Sequence, residues 1–214
     1  MFIATKKISI QNEIFILTNQ RAAFREKGKA LILSDLHIGK TAHFRKNGIA
    51  LSNHIMKSDL ERLSALIEYF QPDKFIVVGD LLHAGDNSDV AEFCTWRSQY
   101  PDLQFYLVEG NHDRISASLE KKLCLDFKAD LLEIDGFTFI HDFEPIKSGF
   151  QITGHIHPGI VLHSAIKSIR LPCFALSDNQ LLLPAFSKFT GLDTKNLPKK
   201  SKFFVFTDAE IYEI

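Results

Sequence analysis

Long apolar runs are missing. No stretch approaches the roughly 18 consecutive apolar residues that a membrane-spanning helix needs, so no membrane partner is expected. Met1-Phe2-Ile3-Ala4-Thr5-Lys6-Lys7 has no extended apolar region, which excludes a secretory signal there. Cysteine is scarce: Cys94, Cys124 and Cys173 are odd in number, widely spaced and form no C-x-x-C. That excludes a disulfide framework or a structural zinc and fits a reducing, cytoplasmic compartment. A net charge of −1 gives no global field to draw in nucleic acid, so any such contact must come from a local basic patch. No internal repeat, low-complexity tract or linker appears, and residues 1–214 are expected to form a single domain.

What is present is ordinary globular material. A chain of 214 residues, 45% hydrophobic, can bury about 70% of its unfolded surface, and its many phenylalanines most simply fill the core. Ile8 to Leu17 reads as a hairpin turning at Gln11-Asn12, with Phe24 in a further edge strand. Lys29–Ser34, Lys74–Val78 and Leu103–Val108 are short apolar runs suited to buried parallel strands. Leu60, Leu63, Leu66, Ile67 and Phe70 mark a helix from about Asp59 that Pro72 ends. A second helix is expected over Asp89–Tyr100, with Val90, Phe93 and Cys94 inward, and a short third through Leu119 and Leu123. Between Thr41 and Asn53, Gly48 breaks any helix.

The second half loses the helical period. Leu131–Ile134 and Phe137–Ile140 flank Asp135-Gly136, a hairpin signal. Further strands are expected over 150–153, 160–164, 168–176, 180–183, 203–207 and 210–214. A βαβ first half and a mostly antiparallel second half predict an α/β fold, two mixed β-sheets packed as a sandwich flanked by helices.

Five strand-like runs end in metal-ligand residue types: Asp35 and His37, Asp80 and His83, Asn111-His112-Asp113, His141, and His155 and His157. Six of the nine histidines therefore fall at or near strand ends. Gly110-Asn111-His112-Asp113 alone is ordinary turn chemistry; the set of five is not. In Asp35-x-His37 and His155-x-His157, residues two apart on an extended chain project to the same side, so each pair can converge on one ion. Histidines and carboxylates with an Asn oxygen make a mixed N/O donor set. It suits Mn, Fe, Zn or Ni rather than calcium. Seven ligands exceed one four-coordinate site and suit two ions about 3.5–4 Å apart, with Asp80 as the natural bridge.

The ordered series Asp-x-His, Gly-Asp, Gly-Asn-His-Asp, His and Gly-His-x-His over residues 35–157 resembles the calcineurin-like metallophosphoesterases. The resemblance implies that Asp35, His37, Asp80 and His157 hold one metal and Asp80, Asn111, His141 and His155 the other. It implies that His112 is the general acid at the leaving group, with Asp113 orienting it. The cofactor implied is a pair of divalent ions, Mn²⁺ favoured, activating hydroxide for attack on phosphorus. Asp35-Leu-His-Ile-Gly-Lys40, Ala42–Lys46, Gly110–Arg114, Arg170-Leu-Pro-Cys173 and Leu183-Pro-Ala-Phe186 are similar to the ligase-associated DNA-damage-response endonuclease branch. That branch implies DNA as the phosphodiester substrate, a role in DNA repair, and association with a DNA ligase and a helicase. His83 is similar to a second active-site histidine in the nuclease subunit of the double-strand-break repair complex.

Asp142 stands where the family has Gly after the fourth-motif His. It is read as an outer carboxylate or a displacement of His141. Lys40, Arg45 and Arg114 lie close in sequence to the motifs and are candidates to hold substrate phosphates. His43, His54 and His163 read as loop or core histidines. Lys195, Lys199, Lys200 and Lys202 read as a solvated loop, with DNA contact the lesser reading. A small-molecule phosphoesterase acting on a nucleotide or cyclic nucleotide is the alternative function, since one fold hosts many substrates. A non-catalytic scaffold is disfavoured because His112 and Asp113 are both present.

Overall fold

The computed structural model describes residues 1–46, 48, 54–83, 85, 87–145, 149–163 and 167–214. In chain order the elements begin with strands β1 Thr5–Ile10, β2 Glu13–Thr18, β3 Ala23–Arg25 and β4 Ala30–Leu33. Helices α1 Lys40–Lys46 and α2 His54–Phe70, strand β5 Lys74–Val78, helix α3 Ser88–Arg97, strand β6 Gln104–Val108, helix α4 Ala117–Leu123 and strand β7 Phe127–Ala129 follow. The rest is β: β8 Leu131–Ile134, β9 Phe137–Ile140, β10 Phe150–Thr153, β11 Gly159–His163, β12 Ser168–Leu176, β13 Gln180–Leu182, β14 Lys202–Phe206 and β15 Ile211–Glu213.

β1 to β7 form one sheet in sequence order, antiparallel up to β4 and parallel from β4 to β7. The second sheet runs β15-β14-β12-β13-β10-β9-β8, with β11 paired to β12. Alternation along the central parallel strands builds both cores at once. Leu31, Leu33, Phe75, Val77, Phe105 and Leu107 face α2, α3 and α4, packing with Leu63, Phe93 and Leu123. Ile32, Ile76, Val78 and Val108 face the other way, onto Phe139, Ile152, Phe174 and Leu181 of the second sheet. This is the expected two-sheet sandwich.

Four local expectations need correction. Phe24 is not on an edge, because β3 lies between β2 and β4. Helix α2 begins at His54 rather than near Asp59, since buried Met56 already stands on the Leu60 and Leu63 stripe. The second half is less antiparallel than expected, because β10 runs parallel to both β9 and β13. Strand β7 was not anticipated; three residues give no readable alternation. The expected strand end at Ser164 and most of the 47–53 segment lie outside the described residues.

Arg25 is almost fully buried yet ionised between two carboxylates. It donates to Glu13 on β2 and, at 2.7 Å, to Asp135 in the β8–β9 turn, joining the two sheets. The Arg25 hydrogen bond holds the Glu13 carboxyl below its ordinary value. A carboxyl depressed in the folded state gives stability that is present above about pH 4.5 and lost as the pH falls through the folded value. Glu13→Gln should lower stability at pH 7 by about 1 kcal/mol. It should also flatten the acid limb of the stability profile, measured by urea unfolding from pH 3 to 7. An unchanged limb would remove this contact as its source.

Candidate active site

The parallel pairing of β4 with β5 continues beyond the strand ends. Asp35 N–H donates to the Gly79 carbonyl at 3.0 Å, His37 N–H to Asp80 at 2.9 Å and Ile38 N–H to Leu81 at 2.8 Å. His83 N–H returns to Ile38 at 2.9 Å. The two loops are zipped together, so Asp35 and Asp80 follow neighbouring parallel strands at their carboxyl ends, where α/β proteins place ligands. On the second sheet His141 follows β9, and His155 and His157 follow β10, its parallel neighbour. A Gly154 N–H to His141 carbonyl bond of 3.0 Å ties those two loops.

Asp35, His37, Asp80, His155 and His157 all have positive φ, at 55°, 50°, 51°, 69° and 56°. Left-handed backbone costs a non-glycine residue on the order of 1–2 kcal/mol, and strain gathered in one place marks a functional site. It also corrects the alternation argument: neither Asp35-x-His37 nor His155-x-His157 is extended, and the second pair divides. His157 joins Asp35 and His37, whereas His155 joins Asp80 and His141.

In the first group His157 Nε2 and Asp35 Oδ1 are 3.1 Å apart but not hydrogen-bonded. Both ring nitrogens of His37 are likewise buried without a partner. An unpaired buried polar atom costs about 1–3 kcal/mol, so converging lone pairs of this kind fit a divalent cation. Burial lowers the His37 pKa to about 4, leaving the ring neutral and able to ligate at pH 7.

The second group is built around Asp80. His141 Nε2 lies 3.5 Å from Asp80 Oδ2 and 3.2 Å from His155 Nδ1. His141 Nδ1 faces the Val78 carbonyl at 3.1 Å. A carbonyl only accepts, so Nδ1 carries a proton and Nε2 is the ring atom turned to the group; burial opposes the charged ring, but the Asp80 and Asp35 carboxylates outweigh it and raise the His141 pKa to about 9, so a cation held there would take the place of the Nε2 proton. Asn111 places its side-chain amide 3.5 Å from His155 Nδ1. Burial opposes ionisation of Asp80, but His141 and the His112 N–H outweigh it and hold the carboxyl well below the usual range.

Two motif glycines are required by close approach. A Cβ on Gly79, at φ +81°, would lie 1.9 Å from His141 Nδ1, and one on Gly110 would lie 2.3 Å from both N and Oδ1 of Asp80. Gly110→Ala should push Asp80 aside and lower turnover about 10²-fold, the scale of a 1 Å misplacement. The check is steady-state kinetics beside circular dichroism, and unchanged kinetics would refute the tight packing.

His112 is half-exposed, with Nε2 4.0 Å from Asp80 Oδ2. Asp113 does not orient it. Its carboxylate accepts backbone N–H bonds from Leu81, Leu82 and Gly110, at 3.3, 2.8 and 2.9 Å, and so clamps the two ligand loops together. Burial pushes the Asp113 carboxyl up to about 6, against those three donors. His83 is the neighbour of the His112 ring, with centroids 5.3 Å apart and planes tilted by 33°.

The structure also brings in a residue that sequence reading had set aside. His43, on α1, stands edge-on to His83 with centroids 5.7 Å apart. Its signal is the helical spacing from Lys40, which Gly48, two residues beyond the end of α1, does not interrupt. Burial lowers the His83 pKa, and the charges of Lys40, His112 and His43 lower it further. Of the phosphate-binding candidates, Lys40 is half-buried near Asp35 and Asp80, its ammonium 5.4 Å from the Phe189 ring centre. Arg45 is committed elsewhere. It donates to Asp89 at 2.9 Å, and Asp89 also accepts from Thr41 and Ala42, so the arginine anchors α1. Arg114 is exposed just past the loop. Asp142 is exposed and accepts from the Phe143 N–H at 2.9 Å. It stabilises its own turn, and its backbone leaves His141 in place.

The calcineurin-like phosphoesterase family model matches residues 28–200, which contain every motif above. The chain is a calcineurin-like phosphoesterase. Its resemblance to the metallophosphoesterases is thereby borne out, and this phosphoesterase belongs to a metal-dependent class whose divalent ions fit the two ligand groups. Pseudomonas putida nuclease MPE superposes with a TM-score of 0.81 at 27% identity, over 94% of this chain and 96% of that one. Yfce, a phosphoesterase from E. coli, matches at a TM-score of 0.44 and 14% identity, covering 84% of this chain and 88% of that one. No curated protein matched by sequence.

Proposed function

We propose that this phosphoesterase is a DNA nuclease, hydrolysing phosphodiester bonds with two divalent ions of which Mn²⁺ is the favoured pair. The observation that carries the reading is the near end-to-end likeness to a nuclease of almost the same extent. Asp35, His37 and His157 would hold one ion, His141, His155 and Asn111 the other, and Asp80 would be shared. Ions held there would lower the pKa of water toward neutrality and offset charge on the phosphate oxygens.

The chain's own residues supply the rest. His112, anchored through its N–H to Asp80 Oδ1 at 3.0 Å, gives a proton to the departing alkoxide. Asp113 fixes the backbone that carries it. His83, against the His112 ring, holds the second ester arm that a diester has and a monoester lacks. Lys40 adds positive charge beside the phosphate. The branch resemblance of the motifs is the ground for proposing a place in DNA repair beside a ligase and a helicase, and the few, widely spaced cysteines are the ground for proposing a cytoplasmic one.

The test is an activity panel of single- and double-stranded DNA, bis-p-nitrophenyl phosphate and p-nitrophenyl phosphate, each with Mn²⁺, Fe²⁺, Zn²⁺ and Ni²⁺. DNA cleavage greatest with Mn²⁺ is expected; no cleavage alongside good monoester turnover would reject the nuclease. His83→Ala should reduce diester hydrolysis about tenfold more than monoester hydrolysis. Equal losses would deny His83 its diester role.

A further inference from the structure

Helix α2 carries an ion pair on its buried face. Asp59 and Arg62 sit among Met56, Leu60, Leu63 and Leu66, and the Arg62 guanidinium donates to Asp59 at 2.9 Å. Taking two charges out of water costs about as much as their attraction returns, so a buried pair is weak evidence for a role in stability. What the pair touches points to another role. The second terminal nitrogen of Arg62 donates to the Phe186 carbonyl at 2.6 Å and, more weakly, to that of Gln20 at 3.4 Å. The guanidinium carbon also stands 4.1 Å from the centre of the Phe186 ring. The Ser187 hydroxyl and the Lys188 N–H are turned to the Asp59 carboxylate and favour its charged form. Arg21, between β2 and β3, donates to the carbonyls on either side of Phe186, Ala185 at 3.0 Å and Ser187 at 3.1 Å. Two arginines thus hold three successive carbonyls.

The segment they hold crosses from one sheet to the other. It leaves β13 in the second sheet, where Leu183 N–H donates to the Thr153 carbonyl at 2.8 Å. It then pairs Ala185 with Ser34, the residue after β4, as a parallel bridge. Phe186 N–H donates to the Ser34 carbonyl at 2.8 Å and Ser187 N–H to the Asp35 carbonyl at 3.2 Å. Asp35 N–H is already bonded to Gly79 on the other side. The backbone of Asp35 is therefore gripped from both flanks in its left-handed conformation, φ 55°, with Oδ1 buried beside His157. Among the described residues, no hydrogen bond runs from residues 185–188 to Asp80, His141 or His155.

We infer that Arg21 and the Asp59–Arg62 pair are positioning residues for the first metal ion. By fixing residues 185–187 they fix Asp35, and so set the affinity of the group that Asp35 forms with His37 and His157. The inference rests on the two-ion reading of the site. Groups behind a ligand commonly govern how tightly its metal is held. Here they act through main chain rather than through the carboxylate, so the ion of the Asp80, His141 and His155 group is left alone.

The experiment titrates the metal-free full chain with Mn²⁺ alone, counting free ion by electron paramagnetic resonance, beside the melting temperature of the metal-free protein. Two clamp variants are compared with the parent. Arg21→Met leaves no buried charge unpaired, and Asp59→Leu/Arg62→Met removes both charges of the pair together. Arg97→Met is the control, because Arg97 is also buried and also holds carbonyls, those of Tyr100 and Leu103, at the far end of β6 from the ligand loops. Each clamp variant should bind one Mn²⁺ about 10–100-fold more weakly and keep the other within about threefold of the parent. Arg97→Met should lower the metal-free melting temperature and bind both ions as the parent does. In a His37→Asn background the clamp variants should cost the remaining ion less than about threefold, since the ion they serve is already lost. Parent-like binding of both ions in both clamp variants would overturn the inference. So would equal weakening of both ions, or a loss of the same size in Arg97→Met. A parent that binds fewer than two Mn²⁺ would overturn the two-ion reading instead.

Discussion

His112→Asn should lower hydrolysis of a DNA phosphodiester by about 10²–10⁴-fold, the usual span for general acid catalysis, while bound metal stays at the parental level. The side chain is not in either ligand group, and its anchor is a backbone N–H to Asp80 that asparagine keeps. The substitution therefore removes the donor without moving the carboxylate beneath it. The leaving group gives a sharper reading than the overall loss. A departing sugar alkoxide is strongly basic and needs a proton as it leaves, whereas p-nitrophenolate is stable without one. The loss should therefore be large on DNA and about tenfold or less on the p-nitrophenyl diester. A similar loss on both substrates, with metal content unchanged, would show that His112 steadies phosphate charge rather than delivering a proton.

The residues that sequence could place and those it could not differ in a physical way. The strands behind the site were legible because apolar runs of four or five residues ending in Gly-Asp or Gly-His have few other foldings. Lys74–Val78 and Phe150–Thr153 appear with the expected bounds. The division of His155 from His157 was not legible in periodicity. It arises from left-handed backbone at both residues, and φ sign at a non-glycine leaves little trace in composition. The resemblance carried that division because it assigns ligands by position and not by alternation.

Partners across the fold were likewise hidden. Asp113 next to His112 suggested an imidazole partner, but the loop after β5 presents it with two N–H groups and its own loop, at Gly110, with a third. Arg45 suggested a free cation, yet Asp89 lies 44 residues away in sequence and claims it. The Leu183-Pro-Ala-Phe186 motif acquires its meaning only in three dimensions. Phe186 N–H donates to the Ser34 carbonyl at 2.8 Å, and Arg62 donates to the Phe186 carbonyl at 2.6 Å. A buried arginine thus braces the residue before Asp35 from behind.

Asp80→Asn is the substitution expected to do the most damage to the whole centre. Its carboxylate is the acid of the second ligand group, reaches the His112 N–H with one oxygen and His141 with the other, and its backbone carbonyl holds His37 of the first group. Asparagine preserves the shape and that carbonyl but removes the charge. If Asp80 serves both ions, metal measured by mass spectrometry should fall by more than one equivalent, and activity by at least about 10³-fold. His37→Asn should cost no more than one equivalent. Stability provides a second readout that does not depend on turnover. A ligand at 100 times its dissociation constant stabilises the folded state by about 2.7 kcal/mol, so Mn²⁺ should raise the melting temperature of the parent. That rise should nearly vanish in Asp80→Asn and persist in part in His37→Asn. Asp80→Asn that retains a full equivalent and half the thermal shift would confine Asp80 to the His141 side and leave Asp35 as the only acid of the other ion.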